Sequence, residues 1–343
     1  MLYEASRAID PARLLNPLNV ADAQMGFLAG LAEPPFRYAV SAELAGWRAR
    51  ILALPLPASH PFSDVVGHAI RAWVAMADAF LNRDAESFER WGEVERWEVT
   101  EAACDTPTTQ SDAEIEAPEP FLAAAGMRQA LESAIAARGF AGWVVRWDEV
   151  MSARILVESA RREVRVNPRA SFRQSDVRRL IAHEIDVHVR RAENGAKLPL
   201  RMFGTGLPGS LQTEEGLAIY AEERVGIRNP DARGQESRLR RAIQLARTAG
   251  FREVWEALRE HYGPRGAFTV ALRLKRGLAY PGAPGVYAKD AVYGLGRERI
   301  GAWLAAGGDL AHLYVGKVGM EHPVGEWLAE GLVAPGIVPD LWR

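Results

Sequence analysis

Two histidines and a glutamate lie within six residues of one another, at His183, Glu184 and His188. Imidazole is a good zinc ligand, and a carboxylate beside a catalytic zinc can act as a general base. The familiar His-Glu-x-x-His pattern places both imidazoles on one face of an α-helix. Here the second histidine comes one residue later, so an ideal α-helix would place the two about 140° apart. The spacing therefore predicts a π-bulge that widens the turn between them.

A pair of acids, Glu214 and Glu215, follows downstream in the run Thr213–Tyr220. One glutamate on a second helix would complete a three-ligand set and leave one coordination position open, which is the arrangement of catalytic zinc. The other acid would suit a solvated helix start. Gly216, beside the acids, would let two helices approach closely. Without this second element, two unrelated histidines on a buried helix would explain the first motif equally well.

The two motifs in this order resemble the microtubule-associated tyrosine carboxypeptidase (MATCAP) family. They are His-Glu-x-x-x-His at 183–188 and Thr-Glu-Glu-Gly-Leu-Ala at 213–218. Bacterial relatives of that family carry a Gln-Glu-Gly-Leu-Ala motif. The segments Lys-Asp-x-x-Tyr at 289–293 and Gly-Lys at 316–317 are also similar to family segments. The resemblance covers roughly residues 120 to 340.

The resemblance implies a zinc metallopeptidase whose metal ligands are His183, His188 and Glu215. Glu215 is chosen over Glu214 because related zinc peptidases have the order Glu-Gly-small aliphatic. Glu184 is then the general base that accepts a proton from water and passes it to the leaving amine. Glu184→Gln is expected to keep the zinc and lose turnover.

The sequence departs from the family pattern in two places. Asp186 and Val187 stand where Gly-Thr is expected, and Glu214 stands where the bacterial relatives have Gln. Neither change removes a ligand. Asp186 could hold a ligand histidine through its other ring nitrogen, or it could lie exposed on the widened turn.

A carboxypeptidase also needs a cation that binds the terminal carboxylate of its substrate by charge-assisted hydrogen bonds. The candidates, in order, are Lys289, Arg299, Lys317 and Arg201. Tyr293 is either a core tyrosine or a phenol that stabilises the oxyanion or orients the substrate.

Only four of the 42 basic residues are lysines. Such a bias is usually a matter of genomic base composition, yet a lysine can mark a place that needs a compact ammonium. Lys289 and Lys317 fall in the family-like segments, which supports a position near the substrate. Lys197 and Lys275 are expected at the surface.

The predicted fold class is α+β, mainly helical. Strands are expected at 143–147, 153–157 and 163–167, followed by the helix that carries His183. A small sheet followed by two ligand-bearing helices is the order of the zincin peptidases. In that scaffold an extended substrate commonly pairs with a sheet edge, and the strand at Val164 or its neighbour is the candidate here.

Three segments are predicted. Residues 1–100 form an N-terminal helical subdomain, 101–120 an acidic linker that contains prolines, and 121–343 the zincin-like catalytic domain. No lysine or arginine occurs between residues 98 and 127, which is a linker composition.

The net charge of -2 lacks the basic excess of nucleic-acid-binding proteins. The single cysteine, Cys104, cannot form an intramolecular disulfide or a cysteine-based zinc site. No run of 18 apolar residues and no basic-then-apolar N-terminal signal is present. A cytoplasmic enzyme with neither nucleic-acid nor membrane partners is expected.

The sequence therefore predicts a zinc metallocarboxypeptidase that removes a C-terminal residue, with an aromatic, tyrosine-like one expected, from a peptide or protein. The alternatives are a zinc endopeptidase or aminopeptidase on the same scaffold, and a non-catalytic regulatory protein with a metal site. The intact Glu184 argues against the last, because a purely structural site needs no base.

Overall fold

Helices dominate the computed structural model, which describes residues 1–56, 59–97, 120–226 and 232–342. With only five short strands among these residues, the predicted α+β, mainly helical class is confirmed. The N-terminal helices are Leu2–Ala8 (α1), Pro11–Leu15 (α2), Val20–Leu28 (α3), Leu44–Leu52 (α4), Ser63–Asn82 (α5) and Ala85–Val94 (α6).

The next part of the chain holds all the described strands. They are Phe121–Leu122 (β1), Val144–Trp147 (β2), Ile155–Glu158 (β3), Glu163–Val166 (β4) and Phe172–Arg173 (β5). A π-helix spans Ile181–Val189. The α-helices of this part are Ala124–Ala137 (α7), Gln174–Leu180 (α8), Arg190–Gly195 (α9), Met202–Thr205 (α10) and Ser210–Arg224 (α11).

The last part is helical again. Its α-helices are Ala232–Thr248 (α12), Phe251–Lys275 (α13), Val292–Ala305 (α14), Leu310–Leu313 (α15) and Val324–Ala329 (α16), with short 3-10 helices at Ala288–Ala291 and Asp340–Trp342. Helix α13 is kinked at Gly263, whose φ of 65° breaks the helical backbone just before Pro264. Among the described residues, no helix combines the length and the apolar character that crossing a membrane requires.

The chain divides into two compact units. One consists of Met1–Thr108 and Arg233–Ala291, and the other of Thr109–Ala232 and Val292–Arg343. The predicted linker at 101–120 lies, except for Pro120, outside the described residues. The domain boundaries expected from the sequence therefore stay predictions.

In the first unit, Lys275 is fully buried, and the expectation that it lies at the surface is wrong. Its ammonium donates to four backbone carbonyls, those of Ala246, Ala249, Ala283 and Gly285, at 2.5–2.9 Å. These hydrogen bonds offset the cost of burying a cation. They also hold the Pro/Gly-rich segment after α13 against α12.

In the second unit, β2, β4 and β3 form a three-stranded sheet in that order. Strand β2 runs parallel to β4, and β3 runs antiparallel to it, so that Val164 pairs with both Val145 and Val157. Because β4 is paired on both sides, a substrate strand could add only at its neighbours, β2 or β3.

The π-helix is buried on two faces. Ile185 and Val189 belong to an apolar core with α7 and the sheet. Ala182 and Val187 belong to a second core with α11 and α14. Enclosed in this way, the element is fixed by packing on both sides, which suits a segment that must present side chains in a defined geometry.

Candidate metal centre

The π-helix brings His183 and His188 together. In such a helix the hydrogen bonds run from i to i+5, so residues five apart stack on one face. The two imidazole centroids lie 4.9 Å apart with the ring planes at 67°. The widened turn predicted between the two histidines is thus confirmed. It extends over nine residues instead of a single bulge.

Helix α11 brings Glu215 to the same point. Its Oε2 lies 3.6 Å from Nε2 of His183 and 3.7 Å from Nε2 of His188. One donor atom from each of the three residues lies within 4.8 Å of the others, and the group could hold a metal ion. Donors at 2.0–2.2 Å from one tetrahedral zinc are roughly 3.3–3.6 Å apart, so the two distances from Glu215 are close to those that such an ion requires.

The other nitrogen of each histidine is held by a glutamate of α11. Nδ1 of His183 lies 2.8 Å from Oε1 of Glu222, and Nδ1 of His188 lies 2.6 Å from Oε1 of Glu214. A carboxylate at Nδ1 keeps the proton there and directs the Nε2 lone pair outward. Both Nε2 atoms are therefore prepared for a metal.

Glu222 was not among the residues predicted from the sequence. It follows Glu215 by seven residues, two helical turns, so that both side chains lie on one face of α11. That spacing is the only sequence signal for it. An acid in the last turns of a helix otherwise looks like an ordinary solvated residue.

Basic residues balance these acids. Nη1 of Arg179 lies 3.0 Å from both oxygens of Glu222, and Arg179 also bonds Asp176 at 2.7 Å. Burial would raise the pKa of Glu222, but the contacts with His183 and Arg179 outweigh it and lower that pKa. The carboxylate is therefore held in its ionised form.

The carboxylates around His183 shift the pKa of its imidazole upward, whereas the pKa of Glu222 is shifted downward. Burial lowers the pKa of His183, but the carboxylates of Glu184, Glu215 and Glu222 outweigh burial and raise the pKa well above the ordinary 6.5. Without a metal, the three carboxylates around His183 thus give this group an excess of negative charge, which favours a bound cation. A divalent cation satisfies the same demand.

A family model described as microtubule-associated tyrosine carboxypeptidase matches residues 79–342, which is most of the chain. The chain belongs to the MATCAP family. A search of curated proteins finds no match to it. The matched region contains the π-helix, α11 and all the downstream segments that resemble MATCAP motifs.

Glu184, which follows the first histidine in the MATCAP-like motif, lies in the same π-helix and is 7% exposed. Among the described residues, no hydrogen-bond or ion-pair partner contacts its carboxylate. Its charge acts on His183. A buried carboxylate next to the ligand group, not committed to a protein donor, is placed to accept a proton from water.

Asp186, which departs from the MATCAP pattern, is neither exposed nor bonded to a ligand histidine. Its carboxylate takes a bidentate contact from Arg138, at 2.5 and 2.8 Å. The hydroxyl of Tyr314 donates to its backbone carbonyl at 3.2 Å. Asp186 thus ties the π-helix to the end of α7 and to the segment after α15.

Three residues predicted to bind substrate lie in the second unit. Lys317 is 7% exposed, and its Nζ lies 2.7 Å from Oε1 of Glu214. Arg299, on α14, is bound by Gln212 and Glu321. Arg201 is exposed and precedes α10. Lys317 thus contacts the glutamate that holds Nδ1 of His188.

The remaining two residues come from the Lys-Asp-x-x-Tyr segment that resembles a MATCAP motif. Lys289 is half-buried and belongs to the first unit, in the 3-10 helix Ala288–Ala291. Tyr293 is half-buried and is the second residue of α14, in the second unit. The segment therefore crosses from one unit to the other between these two residues.

Proposed function

We propose that this member of the MATCAP family is a zinc-dependent metallocarboxypeptidase. The observation that carries the proposal is the convergence of His183 Nε2, His188 Nε2 and Glu215 Oε2, with Glu184 next to them in the same π-helix. Two imidazoles and one carboxylate are a catalytic zinc set, because one position is left open.

The scaffold supports the proposal. A small sheet, the π-helix with two ligands and then α11 with the third follow one another in the order expected of a zincin core. Glycine at position 216 lets α11 approach α14 closely. A Cβ there would lie 2.2 Å from the backbone carbonyl carbon of Gly296. Helix α11, which carries Glu215, is thus fixed by its close contact with α14.

Zinc held there would lower the pKa of water and polarise the scissile carbonyl. Protein side chains would transfer the proton and orient the ligand histidines. Glu184 accepts the proton of the attacking water on its carboxylate and later gives it to the leaving amine. Glu214 and Glu222 keep both imidazoles in the tautomer that frees Nε2. Burial of these groups limits competing water.

The family description supports a C-terminal residue, tyrosine by its name, as the leaving group. Binding of the terminal carboxylate needs a cation, and we propose Arg299 or Arg201, which lie in the same unit as the candidate ligands, for this role. Tyr293 is proposed as the phenol that orients the substrate or stabilises the oxyanion. Lys289 stays an expectation of the sequence. The substrate class is a peptide or protein with a free C-terminus.

The decisive variant is Glu184→Gln. We expect it to bind zinc as the wild type does and to lose turnover on a peptide pool by about 100-fold or more, because a general base typically contributes 10²–10⁴ in rate. Metal content is measured by elemental analysis and turnover by mass spectrometry. Glu132→Gln, which changes an exposed acid on α7, is the matched control. Full activity in Glu184→Gln would refute the assignment.

A further inference from the structure

Glu214 is surrounded by positive charge although it is only 3% exposed. Its Oε1 is shared by His188 Nδ1 at 2.6 Å and Lys317 Nζ at 2.7 Å. Its Oε2 lies 3.5 Å from Nη1 of Arg191. A carboxylate this deep is tolerable only when it is paired and hydrogen-bonded. Of the lysine and the arginine that pair with Glu214, Lys317 is the closer, at 2.7 Å against 3.5 Å for Arg191.

We propose that Lys317 is a positioning residue for the metal centre, acting through Glu214 on His188. The ammonium and the imidazole meet on the same oxygen, so Lys317 fixes where that oxygen stands and balances its charge. Oε1 in turn fixes the orientation of His188 and hence the direction of Nε2. This role rests on the proposed function and replaces the substrate-binding role that the sequence suggested for Lys317.

The backbone holds Lys317 in place on both sides. Its N–H donates to the carbonyl of Phe203 at 2.7 Å, and its own carbonyl accepts from the N–H of Leu207 at 2.9 Å. Its neighbour Gly316 packs so closely that a Cβ would lie 2.8 Å from the same Phe203 oxygen. The backbone of Lys317 is therefore held in one position, from which its side chain extends to Glu214.

The segment that carries Lys317 is also tied to the helix that follows His188. Arg191, fully buried on α9, donates to the carbonyls of Leu313, Gly316 and Val318 at 2.8, 3.1 and 2.5 Å. Asn194, one turn later, donates to Tyr314 O at 2.7 Å. Helix α9 continues directly from the π-helix that carries His188. The segment that carries Lys317 is therefore hydrogen-bonded to the helix next to His188.

Zinc affinity of the full chain tests the proposal. We expect Lys317→Met to bind zinc about 10- to 100-fold more weakly in competition with a chromophoric chelator. A loss of this size is usual when a group that supports a metal ligand from outside is removed. Lys197→Met, which removes an exposed lysine of the same unit, should bind as the wild type does. Wild-type affinity in Lys317→Met would overturn the proposal.

A double-mutant cycle with Glu214→Gln shows whether Lys317 acts through Glu214. If it does, Lys317→Met in the Glu214→Gln background should weaken zinc binding little further, or not at all. If the two losses simply multiply, the lysine acts by another route and the proposal is wrong.

The stability of the metal-free protein separates positioning from a general structural effect. A lower urea midpoint in Lys317→Met with unchanged zinc affinity would overturn the proposal. If Lys317→Met does not fold, Lys317→Gln, which keeps a donor without the charge, is expected to show the same affinity loss. A wild-type chain that bound no zinc would refute the proposed function itself, whereas equal affinities in wild type and Lys317 variants would refute only this inference.

Discussion

Three glutamates of α11 serve the two histidines differently because of their places on one helix. Glu215 and Glu222 share a face, so one reaches Nε2 of His183 and the other its Nδ1. Glu214 lies about 100° around the helix from Glu215 and reaches Nδ1 of His188. One helix thus carries the candidate metal ligand and a carboxylate partner for Nδ1 of each imidazole. Arg179 and Lys317 balance the two orienting acids.

A residue outside the metal centre gives a prediction about pH. Asp290 is 3% exposed, and its Oδ2 lies 2.8 Å from Nε of Arg273. Burial raises the pKa of this carboxyl, but Arg273 and Arg276 outweigh it and lower the pKa below the ordinary 3.8. A lowered folded-state pKa stabilises the protein above the unfolded pKa. That contribution is lost as the pH falls through the folded value.

We therefore expect Asp290→Asn to lower the free energy of unfolding at pH 7 by roughly 1–3 kcal/mol, the cost of breaking a buried charged hydrogen bond. The difference from the wild type should shrink as the pH falls below about 4. Urea unfolding at several pH values measures both effects, with Asp22→Asn, an exposed acid of α3, as control. A difference that does not change between pH 7 and pH 3 would contradict this account.

At the residue scale, the sequence predicted the meeting of His183, His188 and Glu215 because their types and order form a motif. It did not predict Glu222, whose only signal is a seven-residue spacing. It also placed Lys275 at the surface, because its burial depends on four carbonyls from two other segments, Ala246 and Ala249 in one and Ala283 and Gly285 in the other. Charges that are stabilised by tertiary partners leave little trace in local sequence.

At the element scale, the five-residue spacing of the histidines was enough to predict a widened turn. The full length of the π-helix was not predictable, because it depends on packing from both sides. The link from Asp186 to Arg138 was not predictable either, since 48 residues separate them. The sequence left Asp186 as either a histidine partner or an exposed residue, and it is neither.

The crossing of α11 and α14 gives an element-scale prediction. A Cβ on Gly216 would lie 2.3 Å from the carbonyl oxygen of Gly296, so Gly216→Ala must push the helices apart and shift the neighbouring Glu215. We expect it to lower the free energy of unfolding by roughly 1–3 kcal/mol, as overpacking does, and to weaken zinc binding. Thermal unfolding and chelator competition measure the two effects.

Gly301 on α14 is the matched control, because a Cβ there meets nothing within 4 Å. Gly301→Ala should be neutral or should stabilise the helix by up to about 1 kcal/mol. Equal effects of the two substitutions would show that the close approach of the helices does not matter. The sequence predicted this approach from the glycine beside the acids, and the structure confirms it.

At the scale of the whole molecule, the candidate metal centre belongs to a single unit. All three candidate ligands, both orienting glutamates and Glu184 lie in the unit formed by Thr109–Ala232 and Val292–Arg343. The other unit joins the N-terminal helices to Arg233–Ala291. Composition and linker signals gave no hint that two separated stretches of chain would form one unit, because such pairing is set by long-range contacts.

Metal binding should therefore act on one unit. A ligand at 100 times its dissociation constant stabilises the state it binds by about 2.7 kcal/mol. We expect zinc to slow amide hydrogen exchange in the π-helix and α11, and to leave the helices of the first unit, such as α5, nearly unchanged. Hydrogen exchange read by mass spectrometry, with and without a chelator, measures this. Equal protection in both units, or none, would contradict a metal centre confined to the second.

Carboxypeptidase activity is best tested with one library of peptides prepared with free and with amidated C-termini. After incubation with the zinc-loaded chain, mass spectrometry reads every product. We predict the loss of a single C-terminal residue from the free peptides only, tyrosine and other aromatic residues first, because the terminal carboxylate must bind a cation. Cleavage of free and amidated peptides alike would contradict the carboxypeptidase account and indicate an endopeptidase or aminopeptidase.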